Sequence, residues 1–207
     1  MASEYSSQLF PFFFFFCRDH FSPSNVLLGL LHQFPSMDSL TDSWTKVTSD
    51  TVLVRHLLDL YFCWEYPTLA SFNKERFLVD YAAGRLRFCS PLLVNALCAL
   101  ASRFSDRPEV RPDPDNPHTA GDHFFNEAQR LFWGMDGHHS LATIQALGIM
   151  AIREASCARD TESRYYAGQS VRLCIEMGLH RLKVEDKQDD ESVVQLATFW
   201  GAFALDQ

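Results

Sequence analysis

Cysteine and histidine are the residue types in this sequence best suited to bind a metal ion or to act as nucleophiles. Its 207 residues include eight histidines and six cysteines, namely Cys17, Cys63, Cys89, Cys98, Cys157 and Cys174. A structural zinc site takes its ligands from short spacings such as C-x2-C, because a small loop has to wrap around one ion. No two cysteines have that spacing. The sequence therefore predicts no metal site, and it favours reduced intracellular thiols over a disulfide framework.

Motifs that mark catalysis are missing as well. The sequence has no Gly-rich phosphate loop, no H-E-x-x-H and no G-x-S-x-G. The neighbours His138 and His139 cannot both face one ion from a helix, so a solvated turn before Ser140 is expected. Arg172 and Glu176 are four residues apart, which is typical of an ion pair on a helix surface. We predict a protein that is not an enzyme, with no catalytic residues and no cofactor.

Aromatic side chains are the remaining candidates for a binding site. Six of them could line a ligand cavity between helices or pack in the core: Trp64, Tyr66, Tyr165, Tyr166, Trp200 and Phe203. Both alternatives stay open, because a cavity wall and a packed core use the same residue types.

The net charge argues against a surface that grips nucleic acid by itself. It is −8, whereas phosphate binding depends on Lys and Arg that displace counterions. Most of the excess acid lies in 106–127 and 183–191, and we expect both stretches to be solvated loops. The apolar run at 9–17 is far shorter than the roughly 20 residues that span a bilayer. No membrane partner is therefore predicted.

Phenylalanine is concentrated near the N-terminus. Of 18 in total, eight lie at or before Phe34 and five run consecutively from Phe12 to Phe16. No Lys or Arg precedes the run, which disfavours a secretory signal. Phe codons begin with two thymines, so the run implies a pyrimidine-rich tract of the kind found before splice acceptor sites. We expect residues 1–45 to lie outside the folded domain, with translated intron as one explanation that sequencing the transcript's 5′ end can test.

The rest of the chain has helical periodicity and helix-capping residues. A first amphipathic helix follows Asp50 and stops at Pro67, and the next is capped by Asn73 and ended by Gly84. Ser90 starts a third, which runs to Phe104. Further helices are predicted at about Thr119–Trp133, Leu141–Ala158 (capped by Ser140), Glu162–Met177 and from Glu191 to the end. No stretch alternates like a strand, so the predicted fold is all-α, an irregular multi-helix array or bundle.

Five segments are distinctive in their order and spacing. They are LLDLYFCWEYPTLASFNKERFL (57–78), CSPLLVNALCALASRFSD (89–106), FFNEAQRLF (124–132), SLATIQALGIMAIREASCARDTESRYYAGQSVRLCIEMGLHR (140–181) and TFWGAFALDQ (198–207). Each alone is a helix of common residues. In combination, and with the MGLHR and TFWGAFALD signatures, the sequence resembles the middle homology region of fungal zinc binuclear cluster transcription factors.

The resemblance implies an all-helical regulatory domain, placed in the family between a DNA-binding zinc cluster and an activation segment of a nuclear protein. The six closely spaced cysteines of that cluster are absent here, so zinc binding and DNA recognition are not carried onto any residue. Residues 46–207 are expected to form part of the domain, truncated before its last helices.

The resemblance also implies regulation of transcription by RNA polymerase II. The mechanism would be protein contacts, with the transcription machinery or the same factor, or helix packing that responds to a small-molecule effector. DNA would be reached only through a zinc cluster that this sequence lacks. The alternative is a stand-alone helical enzyme or ligand-binding protein of fungal secondary metabolism.

Overall fold

A computed structural model describes residues 44–135, 137–181 and 190–206. These ranges contain seven α-helices: α1 Thr51–Trp64, α2 Lys74–Ala83, α3 Pro91–Ala101, α4 Asp122–Trp133, α5 Leu141–Ser156, α6 Asp160–Glu176 and α7 Asp190–Leu205. Short 3-10 turns occupy Ser102–Phe104, Pro108–Val110, Pro117–Thr119 and Leu179–Arg181. No β-strand occurs among the described residues, and the predicted all-α fold is confirmed.

Helix starts follow the capping residues that the sequence predicted. The side chains of Asn73, Ser90 and Ser140 each accept a hydrogen bond from the first turn of the helix that follows. Asp50 does the same for α1, through two backbone amides. Gly84 ends α2 in the left-handed conformation, with φ of 66°, which glycine adopts at little steric cost.

The first turn of α4 begins later than predicted, because α3 and the loop before α4 come very close together. Gly121 has φ of +79°, and a Cβ there would lie 2.2 Å from the Ala99 carbonyl oxygen. The chain can therefore turn into α4 only after Gly121. The acidic stretch 106–127, expected to be a solvated loop, is a loop with 3-10 turns up to this glycine and helical from Asp122 onward.

The core is built around α3 and α5. Every residue of α3 from Leu92 to Ala101 is buried, as is every residue of α5 from Leu141 to Ala151. α3 packs against α1, α4 and α5, while α5 also packs against α6 and α7. These two helices therefore lie between the others, whose opposite faces contact solvent.

The folded part includes two residues of the segment that was expected to lie outside it. Trp44 is 1% exposed, and its indole N–H donates to the Tyr81 carbonyl at 3.2 Å. The fully buried Asn95 accepts from the Thr45 hydroxyl at 2.8 Å and donates to the Trp44 carbonyl at 3.0 Å. Residues 1–43, with the phenylalanine run, and 182–189, with most of the second acidic stretch, lie outside the described residues.

The turn between α5 and α6 explains why α5 stops short of its predicted end. Ala158 has φ of 57°, the left-handed conformation in which glycine is preferred. The Arg159 amide then bonds back to the Glu154 carbonyl at 3.0 Å, which completes a C-terminal capping motif.

We therefore expect Ala158→Gly to raise the free energy of unfolding by about 0.5–1 kcal/mol, because the β-carbon disfavours this conformation. The matched control is Ala155→Gly, inside α5, which should lower it by about 1 kcal/mol. Urea denaturation of both variants measures the difference, and a loss of stability in Ala158→Gly would contradict the assignment of this turn.

Asp59 on α1 gives stability a pH dependence of predictable sign. Burial raises its pKa to about 6, although Arg55 and Lys74 act against the shift. Since the folded state then binds a proton more tightly than the unfolded state, stability should fall as the pH rises from about 4 to 6.

The free energy of unfolding of Asp59→Asn, measured relative to wild type, should therefore be higher above pH 6 than near pH 4. The carboxyl group is only half-buried, so we expect a gain of ~1 kcal/mol or less. Thermal melts between pH 4 and 7 measure it. Asp106→Asn, on an exposed loop, controls for the loss of one charge, and equal pH profiles for the two variants would contradict the prediction.

Candidate functional site

The six aromatic residues singled out from the sequence lie in three separate places. Trp64 and Tyr66 lie at the end of α1. Trp64 is partly buried against the core. The Tyr66 hydroxyl donates to the Phe72 carbonyl at 2.9 Å and accepts from the Lys74 amide at 3.2 Å. Tyr66 thus stabilises the connection between α1 and α2 by binding its backbone.

The second group lies where α6 faces α4. Tyr166 is buried, and its hydroxyl accepts a hydrogen bond from the Gln129 side chain at 2.9 Å. Tyr165 points outward and stacks on Trp133, with ring centroids 6.2 Å apart. Tyr166 therefore belongs to the core, and Tyr165 forms an exposed pair with Trp133.

The third group lies on α7. Trp200 is 57% exposed and Phe203 is 44% exposed. Both rings contact Phe199, and their own centroids are 6.1 Å apart. Val193 is exposed two turns earlier on the same helix. We call these four residues the α7 aromatic face; no charged residue occurs between Ser192 and Leu205.

These three groups do not converge on one cavity in the described part of the chain. One surface depression, of about 410 Å³, lies between the start of α1, the loop before α4 and the first turn of α4. Its lining contains none of the six aromatics and consists of Val47, Thr48, Asp50, Leu53, Glu109, Arg111, Pro112 and His123.

The inner side of α7 is held by one buried polar contact and two close approaches. The Gln145 amide donates to the Thr198 hydroxyl at 2.7 Å. A Cβ at Gly201 would lie 2.8 Å from the backbone of Ser71. The Leu205 side chain packs against Gly148 of α5, 3.0 Å from where a Cβ would be. α7 therefore sits in a fixed rotation that directs its aromatic face outward.

An ionic cluster around the buried Arg153, which sequence reasoning missed, joins α4, α5 and the residue that precedes α6. Arg153 on α5 is fully buried and pairs with both Glu154 and Asp122. Its guanidinium lies over the Phe125 ring, 4.3 Å from the centroid. Arg159 reaches the second oxygen of Glu154 at 3.3 Å. We call these five residues the Arg153 cluster.

The buried charges of Arg153 and Glu154 pair with each other, and the more exposed Asp122 and Arg159 complete a balanced set of two cations and two carboxylates. Its sequence signal is slight. Residues 141–152 carry no charge, and Arg153 and Glu154 follow directly, so two consecutive charges interrupt an apolar helix. Their partner Asp122 comes from another helix, which periodicity cannot reveal.

Thiols and histidines do not form a reactive site in the described ranges. Five cysteines there are free thiols, and burial raises the pKa of Cys174 to about 11. His139 contacts Glu176 at 3.2 Å, and Arg172 pairs with the same carboxylate at 2.8 Å, as the spacing of the last two predicted. No group of three potential metal ligands occurs among the described residues.

Most of this sequence matches one known domain family. The sequence profile of the fungal specific transcription factor domain matches residues 58–207, a range that contains the Arg153 cluster and the α7 aromatic face. This chain belongs to that family. The resemblance found in the sequence is thereby confirmed.

Individual relatives of this transcription factor domain are named for regulation of transcription rather than catalysis. The nitrogen assimilation transcription factor nirA of Emericella nidulans is 43% identical over 79% of this chain and 19% of its own length. The nitrogen assimilation transcription factor nit-4 of Neurospora crassa is 36% identical over 80% of this chain and 16% of its own length.

A more distant relative is the notoamide biosynthesis transcriptional activator notL′ of Aspergillus versicolor, 28% identical over 83% of this chain and 28% of its own length. The chain thus spans between 16% and 28% of these three proteins. No solved structure matches it. No helix of the described residues is long and apolar enough to cross a membrane.

Within this domain we expect the Arg153 cluster to dominate stability. Arg153→Ala leaves Glu154 buried without its nearest cation, and should lower the free energy of unfolding by about 3–5 kcal/mol. Arg130→Ala is the matched control, because Arg130 pairs with Glu127 on the surface at 2.7 Å; its loss of stability should be several-fold smaller than that of Arg153→Ala.

Urea denaturation measures both losses. Arg153→Lys keeps the charge but not the two-pronged geometry, so an intermediate loss is expected if the alanine variant does not fold. Similar losses for Arg153→Ala and Arg130→Ala would contradict the importance of the buried cluster.

Proposed function

We propose that this chain serves as the regulatory domain of a fungal transcription factor and modulates transcription by RNA polymerase II through protein contacts. The observation that carries the proposal is the α7 aromatic face, which lies within the range that matches the family. Relatives named as transcription factors over most of the chain support the same role.

The chemistry of the surface favours a protein partner. Large exposed aromatic patches mark interaction sites on soluble domains, and aromatic residues supply much of the binding energy at interfaces. A net charge of −8 disfavours direct contact with DNA. DNA would be reached through a zinc cluster, which this sequence does not contain. The partner would be a component of the transcription machinery or another part of the same factor.

The nucleus is the proposed location, because this role requires contact with the transcription machinery. A small-molecule effector would act on the same surface if it shifted the packing of α7 against α5. The enzyme alternative is not favoured, since the relatives above are named for transcription.

A reporter assay in fungal cells tests this function. The whole chain is fused to an unrelated DNA-binding domain, and we expect reporter output to differ several-fold from that of the DNA-binding domain alone. Trp200→Ser with Phe203→Ser should abolish the difference, because these side chains form the contact surface. Fluorescence microscopy of a tagged chain shows whether it is located in the nucleus.

Trp133→Ser is the matched control, because Trp133 is 62% exposed and lies on a different helix; it should leave the reporter effect intact. Circular dichroism checks that all variants fold. A folded fusion with no effect on the reporter would contradict the proposed function, and an unchanged effect in the α7 variant would contradict the proposed surface.

A further inference from the structure

The surface depression between α1 and α4 is lined by charged side chains that the fold does not pair. Glu109 and Arg111 lie on the loop before α4, while Asp50 and His123 lie at the starts of α1 and α4. Neither carboxylate forms an ion pair with a described residue, and neither does the Arg111 guanidinium. Charges of both signs therefore face the same space without neutralising one another.

Two nitrogen atoms at the wall of this depression lack a hydrogen-bond partner. They are Arg111 Nε and His123 Nδ1, both buried and unpartnered among the described residues. At its other end the Arg111 guanidinium donates to the Pro114 carbonyl at 3.3 Å. Buried polar groups in native proteins nearly always have a partner, so an unpartnered one requires an explanation. Two of them in one lining indicate a site that a polar ligand completes.

The loop that carries Glu109 and Arg111 is held in place by the residue between them. Val110 is fully buried, and its carbonyl accepts a hydrogen bond from the Gly121 amide at 2.9 Å. The Arg111 amide donates to the Pro108 carbonyl at 3.0 Å, which closes the short 3-10 turn. The rim of the depression is thus shaped before a ligand arrives, and this lowers the entropic cost of binding.

The size of the depression and its apolar part suit a small molecule. Its volume of about 410 Å³ falls within the roughly 300–1,000 Å³ of small-molecule sites. Val47, Leu53 and Pro112 supply apolar contacts beside the charged groups. Such a lining holds an apolar portion of a ligand while a few polar groups fix its orientation.

We propose that this depression binds a small zwitterion of the α-amino acid class. Arg111 pairs with the ligand carboxylate, and Glu109 and Asp50 attract its ammonium group, because hydrogen bonds between charged groups are the strong ones. The apolar part of the lining receives the ligand side chain. A simple anion would face two carboxylates, and a simple cation would face the guanidinium, so a ligand that carries both charges fits the lining best.

His123 adds a polar group to the site without adding charge. Burial lowers its pKa, although Asp122 acts against the shift, so the imidazole is uncharged near pH 7. A neutral imidazole donates through one nitrogen and accepts through the other. It can therefore bind either end of a zwitterion and does not favour an anion.

The helices behind the depression connect it to the rest of the fold. Asp122, next to His123 in the first turn of α4, pairs with Arg153 of α5, and α5 holds α7 through Gln145. A ligand that joins the loop to the first turn of α4 stabilises this side of the fold. Its use as the small-molecule effector rests on the proposed function, whereas the binding itself does not.

Calorimetric titration of the whole chain with the common amino acids, one at a time at pH 7, tests the binding. We expect saturable binding of at least one of them at one site per chain. The carboxylic acid that lacks its amino group, and the amine that lacks its carboxyl group, should each bind at least tenfold more weakly. The reason is that each leaves a charged group of the site without its partner.

Arg111→Gln and Glu109→Gln should each weaken the binding at least tenfold, because each removes one charged partner. The matched control is Arg107→Gln, an exposed residue of the same loop that does not line the depression; it should bind like wild type. Circular dichroism checks the fold. If Arg111→Gln does not fold, Glu109→Gln decides, since the Glu109 side chain is exposed.

Three results overturn the proposal. They are no binding of any amino acid to the whole chain, equally tight binding of the acid without its amino group, and unchanged affinity in the folded Glu109 or Arg111 variant.

The reporter assay separates this proposal from the proposed function. If both hold, supplying the bound amino acid changes the reporter output of the wild-type fusion and leaves that of the Arg111→Gln fusion unchanged. If calorimetry shows binding while the fusion has no effect on the reporter, the site stands and the proposed function fails. A reporter effect without amino acid binding overturns the site and leaves the proposed function in place.

Discussion

A fully buried guanidinium is the constraint on which the arrangement of helices depends. Arg153 can lie inside the protein only where carboxylates reach it, because an unpaired buried charge costs several kcal/mol. Glu154 comes from the same helix, whereas Asp122 and Phe125 come from α4. The pairing therefore fixes the position and rotation of α4 against α5, and α3 packs on both.

The same end of α5 also sets the direction of α6. Arg159 pairs with Glu154, and the Ser163 hydroxyl donates to the Ala151 carbonyl at 2.9 Å. With α3, α4 and α6 in place, a further surface of α5 receives α7 through Gln145 and Gly148. Among the described helices, α7 packs on its neighbours with one side, and its aromatic face lies outside the core that they form.

The sequence predicted what depends on near neighbours and missed what depends on distant ones. Caps such as Asn73 and Ser140 act within one helical turn, so their residue types were sufficient. The late start of α4 depends on Ala99, and the Arg153 cluster depends on Asp122; neither contact has a local pattern. The aromatic residues were found by type, but type alone does not separate Tyr166, which is buried, from Tyr165, its exposed neighbour.

Charge and apolar surface act on association in opposite directions in this molecule. A net charge of −8 repels other copies at long range and helps to keep the chain soluble. The α7 aromatic face attracts any apolar partner at contact. A second copy has to approach this face against that repulsion. Self-association through this face is therefore opposed at low ionic strength, and the opposition weakens as salt screens the charges.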